Sequence, residues 1–344
     1  DASGNPLGLL IEEARTNLLE YSEDFGQWGN EKTSDSISSQ VSPDGSSFMT
    51  LIQEDSTNGR HIIYRALNGS LNVSRTLSVF VKKPANNSRQ YVVLSVPNNG
   101  DSLAYSAVYN LSNKTVSDTR ANGSATIIKT DIVDYGNGIY KCILTGNSNS
   151  NTTGAFYPMV CLSDRSDFSG PLSNNNVPIY SGDGTSGLYI WGAQLEQGSF
   201  PTSYIPTSGS AVTRAADVAS LAVSEFGYNQ DQGTVVVSGH YAGLGYLGTS
   251  GVFELNQAVT APNGVELRLA QASGEIQGYD NNGVFVSGAG NVPVNSDFKM
   301  ALGFVVGGTN AAASYTGFTT NAYASVDVNT VDSIEFFKHD VHLG

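Results

Sequence analysis

GLYIWGAQLEQGSFPTSYIPTSGSAVTRAADV, residues 187–218, holds the end of one β-structure and the entry into another. Tyr189, Ile190 and Trp191 favour a pleated surface, and no helix start signal precedes them, so Leu188 to Leu195 reads as a buried closing strand. Pro201 and Pro206 then forbid regular structure, because each removes a backbone donor and biases its predecessor to extended geometry. A proline-punctuated crossover of this kind marks a domain boundary. It divides the chain into residues 1–211 and 212–344.

Upstream, short apolar runs alternate with turn chemistry. SRTLSVFVKK (74–83) and RQYVVLSV (89–96) flank PANN, a hairpin signal. LAYSAVYNL (103–111), SATIIKTDIVDYG (124–136), GIYKCILTG (138–146) and AFYPMVCL (155–162) follow, each bounded by Gly, Asn or Ser. IEEARTNLL near the start admits one helical turn or an extended course. Residues 165–186 form a long polar loop, the position at which specificity elements are commonly carried.

Downstream, nine segments read as strands: ADVASLAVSEF, GTVVVSGHYA, SGVFELNQ, GVELRLAQ, GEIQGYD, GVFVSGA, DFKMALGFVVGG, AAASYTG and DSIEFFKHD. Strands at this spacing, with little helical periodicity, predict an all-β chain of two tandem β-sandwich domains.

Composition narrows the function classes. The 31 acidic residues face 17 basic ones, a formal net charge of −14, and no Lys/Arg cluster interrupts that field. Such a surface repels nucleic-acid phosphates and anionic bilayers. No run of about 18 apolar residues is present to insert into a membrane, and no basic-then-apolar leader opens the chain. The turn-like DASGNP at Asp1 is expected to continue a longer polypeptide. Cys142 and Cys161 flank the turn-rich GNSNSNTTG; they could sit on paired strands of one hairpin within disulfide reach, or be two buried thiols. Seven N-x-S/T sequons follow from an Asn/Ser/Thr-rich composition.

Catalytic signatures are sparse. GDGTSG (182–187) and GLGYLG (243–248) match a nucleotide fingerprint in letters, but the chemistry needs those glycines between a strand and a helix N-terminus, so both read as turns. There is no G-x-S-x-G elbow and no H-E-x-x-H. His339, Asp340 and His342 could ligate a metal or form a solvated chain end. A glycosidase needs two carboxylates facing each other across about 5–9.5 Å, which sequence neither supplies nor excludes. The expected balance is towards a non-enzyme.

A glycan site wants an aromatic platform against the apolar sugar face, with amide and guanidinium groups on the hydroxyls. Trp191 and Gln194, with Tyr189, could supply this from the closing strand, although a central position in a sheet favours burial of Trp191. Tyr64, Tyr91, Tyr105 and Tyr140 are expected to have partly wet rings. The candidate ligand-binding set is therefore Tyr64, Tyr91, Tyr105, Tyr140, Trp191 and Gln194. Arg15 and Arg214 read as structural staples onto nearby carboxylates, the alternative for Arg15 being to bind an acidic sugar.

GLLIEEARTNLLEYSEDFGQWG (8–29) and the closing segment together resemble a module recurrent in tail-fibre and other virion proteins of bacteriophages. There, an EEARTNLL-YSE-F--W opening and a YLWGAQLE-GSFPTSYIPT----VTRAAD closing bracket a β-sandwich. That sandwich is similar to carbohydrate-binding jelly rolls of the xylan- and glucan-binding type, matched here by Asn17, Leu18, Phe25 and Trp28. The order of the nine downstream segments resembles a concanavalin- or laminin-G-like jelly roll. The resemblance implies an extracellular virion protein of a tail or fibre, a symmetric homo-oligomer (a trimer), whose partners are host surface polysaccharide and other virion proteins. It also implies a structural calcium held by Glu23, Asp24 and carbonyls near residue 192; GAQLE stands here where many such jelly rolls carry an Asp pair, which removes hard ligands. No other cofactor is expected. A purely structural decoration or adaptor protein and a polysaccharide depolymerase are the alternative functions.

Overall fold

The computed structural model describes residue 10, residues 12–225 apart from 86, 88, 100 and 101, and, beyond them, 227, 229, 232–241, 250–256, 265–269, 276–280, 283–286, 293, 296–305, 312–315 and 333–336. Among the described residues the chain is all-β, with no α-helix and only two 3-10 turns. It divides into two compact units, Arg15–Arg214 and a second made of Asp1–Ala14 with Ala215–Gly344.

The Arg15–Arg214 unit is a sandwich of two six-stranded antiparallel sheets. The first sheet runs Thr115–Asn122, Ala104–Asn110, Tyr91–Pro97, Met159–Ser163, Ile62–Tyr64 and Gly29–Glu31. The second runs Thr126–Asp134, Ile139–Asn147, Arg75–Lys82, Gly187–Gln197, Phe48–Glu54 and Thr33–Val41. Period-two alternation supplies the core between them. Val92, Leu94, Val96, Tyr105, Ala107 and Tyr109 point inward from the first sheet, and Leu77, Val79, Val81, Cys142 and Leu144 meet them from the second.

The closing strand breaks its own alternation once. Leu188 and Ile190 face the core, and so do Ala193 and Leu195, so the phase slips by one residue between them. Gly192 makes the slip: it sits at φ +61, and the pairing with Arg75–Lys82 shifts register between Trp191 and Gln194. Trp191, like Tyr189, lies on the opposite face by ordinary alternation, and packs there with Met49, Phe80 and Ile139.

The opening and closing segments are both architectural. Asn17, fully buried, donates to the carbonyls of Ala193 and Ile205 and accepts from the amides of Leu19 and Leu195. Gln194 and Glu196 bind the crossover: Gln194 Oε1 accepts from the Ile205 amide, and Glu196 accepts from the Thr202 amide and hydroxyl. Trp28 donates to the Tyr21 carbonyl and packs at a tilt against Phe25, ring centroids 5.2 Å apart. The ARTNLL stretch takes the extended course, pairing Arg15–Asn17 with Val212–Arg214. Arg15 is buried with its guanidinium 4.8 Å above the Phe200 ring.

The cysteines do not share a hairpin. Cys142 lies on the second sheet and Cys161 on the first, and both are buried free thiols whose pKa burial pushes up.

In the other unit, Glu12 and Asp217 exchange two hydrogen bonds, amide to side chain at 2.9 Å and amide to carbonyl at 2.8 Å. Each of the nine downstream segments carries a strand. Six form one antiparallel sheet, in the order Ala219–Ala222, Ser333–Phe336, Ser250–Asn256, Val265–Leu269, Ile276–Asp280 and Gly283–Val286. Gln232–Tyr241, Ser296–Val305 and Ala312–Tyr315 form a second.

Candidate functional site

Strand register on the outer face of the first sheet builds the site. Gly29, Tyr64, Met159 and Ser95 lie in one row across four strands, and Glu31, Ile62, Cys161 and Val93 lie in the next. Because side chains alternate, these rows face the same way, away from the inter-sheet core. The long loop covers much of that face. Phe168, Leu172 and Val177 pack on Ile62, Val93, Val108, Met159 and Cys161.

The loop is fastened at many points. The Phe168 amide donates to Asp118, Arg120 donates to the Asn176 side chain, and Asn122 donates to the Asn174 carbonyl, all from the Thr115–Asn122 edge strand. Below it, the Ser106 hydroxyl donates to Ser95, which donates to the Asn175 carbonyl. The loop's far end is held by Glu54. That carboxylate is fully buried; Arg89 grips it through two nitrogens at 2.7 and 2.6 Å, and the Tyr180 hydroxyl and Asp183 amide donate to it at 2.7 and 2.9 Å. Burial, and then the bond to Glu54, push the Tyr180 pKa far above its usual value, so its hydroxyl stays a donor. The buried His61 ring packs on Tyr180 at 4.4 Å.

Asp183 adds a pH dependence. Its carboxylate accepts from the Ser186 hydroxyl, and from the Thr185 and Ser186 amides, and these bonds hold its pKa far below the ordinary 3.8. A depressed folded-state pKa gives stability that is complete above the unfolded value and is lost as pH falls through the folded one. The unfolding midpoint is therefore expected to fall steadily below about pH 4. Asp183→Asn should flatten that acid limb, read from denaturation midpoints at several pH values; an unchanged limb would show that Asp183 does not drive it.

Where the loop stops short of the sheet edge, a cleft of about 320 Å³ remains. Its floor is Ile62 and Met159, both buried. Tyr64 and Tyr157 stand edge to face, with ring centroids 6.2 Å apart. Asn30, Asn99 and the loop's Asn175 complete the lining. Arg60 and Glu31 form a two-point ion pair within the lining, so the cleft carries its charge already matched. Gly29 seats the platform: a Cβ there would come within 2.6 Å of the Tyr64 ring, so only glycine lets that ring lie across the edge strand.

The residues expected from sequence separate. Tyr64 lines the cleft. Tyr91 packs on the same sheet face, against the loop cluster. Tyr105 and Tyr140, expected to be partly wet, lie in the inter-sheet core at 1% and 9% exposure. Trp191 is buried among Phe80, Met49 and Tyr204, its indole N–H on Ser47, and Gln194 is buried holding the crossover. Neither reaches the cleft lining. Glu23 accepts from Tyr204 and Ser47, and Asp24 is exposed beside it. Among the described residues no group of three or more His, Cys, Asp or Glu could hold a metal ion. His339, Asp340, His342 and GLGYLG lie outside the described residues.

Tyr157, Asn30, Asn99, Asn175 and the Arg60–Glu31 pair were not singled out by sequence. Only the loop carrying Asn175 gave a signal, by its length. Among the described lining residues Glu31 is the one carboxylate, and it is engaged by Arg60. The arrangement offers two aromatic faces, an apolar floor and neutral donors and acceptors, which suits holding an uncharged polyol. No protein-family model matches this chain, and no curated protein matches it.

Proposed function

We propose that the Arg15–Arg214 sandwich recognises a neutral cell-surface glycan in the Tyr64–Tyr157 cleft, without chemistry on the sugar, as part of a bacteriophage tail fibre or similar virion appendage. The observation that carries the binding reading is one cleft that combines a tyrosine pair and a self-neutralised ion pair on a sheet face, with asparagines in its lining. The virion setting rests on the opening and closing motifs alone. A single site this small binds weakly, and copies in a homo-oligomer would add retention through avidity.

A glycan array on the purified chain, with host-type polysaccharides and an assay for reducing-end release, tests the reading. Binding without release is the expected outcome. Tyr64→Ala should weaken the bound glycan by about tenfold, from loss of an aromatic face. Gly29→Ala should act in the same direction by lifting the Tyr64 ring, while leaving the unfolding midpoint nearly unchanged. Release of reducing ends would point to a depolymerase instead.

A second reading, a structural adaptor, is favoured by one feature. Val41 and Phe48 are direct cross-strand partners on the edge hairpin and are half exposed, and Ile37 on the same strand is 83% exposed. Failure of every glycan to bind a folded protein would move the assignment there.

A further inference from the structure

We infer that Glu31 is the specificity-determining residue of the Tyr64–Tyr157 cleft: by holding Arg60 it admits uncharged sugars and turns away uronates, an inference that rests on the glycan reading above. Glu31 and Arg60 both line the cleft, and their side chains are 36% and 28% exposed, so a ligand can reach them. They form a fork, in which Arg60 Nε donates to Glu31 Oε1 at 3.3 Å and Nη2 donates to Oε2 at 2.5 Å. Arg60 is the one cation of the described lining and Glu31 the one anion, so this wall is polar without net charge.

Strand register sets up the pair. Glu31 lies opposite Ile62, and Arg60 precedes that strand by two residues. A carboxylate oxygen has two lone pairs, and the Arg60 fork takes one on each. Arg60 is the only side-chain partner of Glu31 among the described residues, so one acceptor position per oxygen is left. Two acceptors on one carboxylate suit a pair of neighbouring sugar hydroxyls, which donate.

They do not suit a uronate, whose carboxylate has no proton to give at neutral pH. The guanidinium such a ligand would seek is already forked onto Glu31, so binding would bring two negative charges to one positive. Nearby cations offer no relief. Lys32 lies outside the lining with its ammonium on the Thr57 hydroxyl, and Arg65 is held by Glu20. Asn30 and Asn99, both exposed, add no charge to the wall.

Oligosaccharides that differ in charge test this on the full chain: trigalacturonate methyl ester against trigalacturonate, and cellotriose against its C6-oxidised uronate form. Titration calorimetry or ligand-observed NMR at neutral pH is expected to give at least about tenfold weaker binding for the acidic member of a pair. A half-exposed ion pair contributes little to stability, so Glu31→Gln is expected to fold. That variant leaves the lining with one positive charge, and the order of the two members should reverse. Removing one of 31 acidic residues barely alters the field of the whole chain, so a reversal reports the cleft. Tyr64→Ala should weaken both members alike. If the unaltered chain binds the acidic member as tightly as the neutral one, with both sensitive to Tyr64→Ala, the inference about Glu31 falls and the cleft remains a glycan site. An unchanged order in folded Glu31→Gln would overturn the role of that residue. No binding of any neutral sugar by the folded protein would overturn both readings. If Glu31→Gln does not fold, Arg60→Met decides: it leaves Glu31 unneutralised and should widen the gap, and an unchanged gap would overturn the inference.

Discussion

Glu54→Ala is expected to destabilise the Arg15–Arg214 sandwich by about 3–5 kcal/mol, the cost of removing one partner of a buried ion pair. Every acceptor position of that carboxylate is engaged, by two Arg89 nitrogens, the Tyr180 hydroxyl and the Asp183 amide. The variant leaves a largely buried guanidinium without its carboxylate, and frees the end of the long loop at the same time. Both tryptophans, Trp28 and Trp191, lie in this unit, so tryptophan fluorescence follows its unfolding without a contribution from the other. For a unit of this size the loss corresponds to roughly 6–20 °C in Tm. Glu54→Gln together with Arg89→Met should recover part of it, because neither charge is then buried alone. A Glu54→Ala midpoint within about 1 kcal/mol of the unaltered chain would show that the clamp contributes little.

Asn17→Ala is expected to cost about as much, 3–5 kcal/mol, through a different mechanism. One fully buried amide serves four backbone groups, and its removal strands two carbonyls and two N–H groups out of reach of water. Asn17→Asp separates the two halves of the effect. It keeps the acceptor for Leu19 and Leu195 but sets a negative oxygen against the carbonyls of Ala193 and Ile205, so it should also destabilise. The same fluorescence-detected urea titration reads both variants; retention of the full midpoint by either would mean that the opening and closing segments are held by packing alone.

These two residues explain what the sequence could and could not reveal. Asn17 of ARTNLL accepts from the Leu195 amide of GAQLE, 178 residues away, while Gln194 and Glu196 hold the nearby crossover at Ile205 and Thr202. Such motifs speak for architecture and not for a binding site. Strands were legible because turn residues punctuate apolar runs; the slip at Gly192 was not, since a bulge needs the partner strand to define it. Burial of Tyr105 was hidden for a similar reason. All seven residues of Ala104–Asn110 are buried, because the core covers one face of the first sheet and the loop covers much of the other. Alternation cannot assign a wet face to a strand covered on both sides. The cleft itself gathers Asn30, Tyr64, Asn99, Tyr157 and Asn175 from five separate segments. Only cross-strand register and the course of the loop bring them together, and neither leaves a local signature.

The proposed glycan site is the Tyr64–Tyr157 cleft. Amide chemical-shift mapping of the purified chain, titrated with the tightest neutral oligosaccharide from the array, tests it most directly. Saturable shifts are expected, confined to the Gly29–Glu31 and Ile62–Tyr64 strands, the Tyr157–Met159 segment and the loop around Asn175, with saturation moved to about tenfold higher ligand in Tyr64→Ala. Shifts centred on the Ile37–Phe48 hairpin, or saturating at the same ligand concentration in Tyr64→Ala, would contradict it.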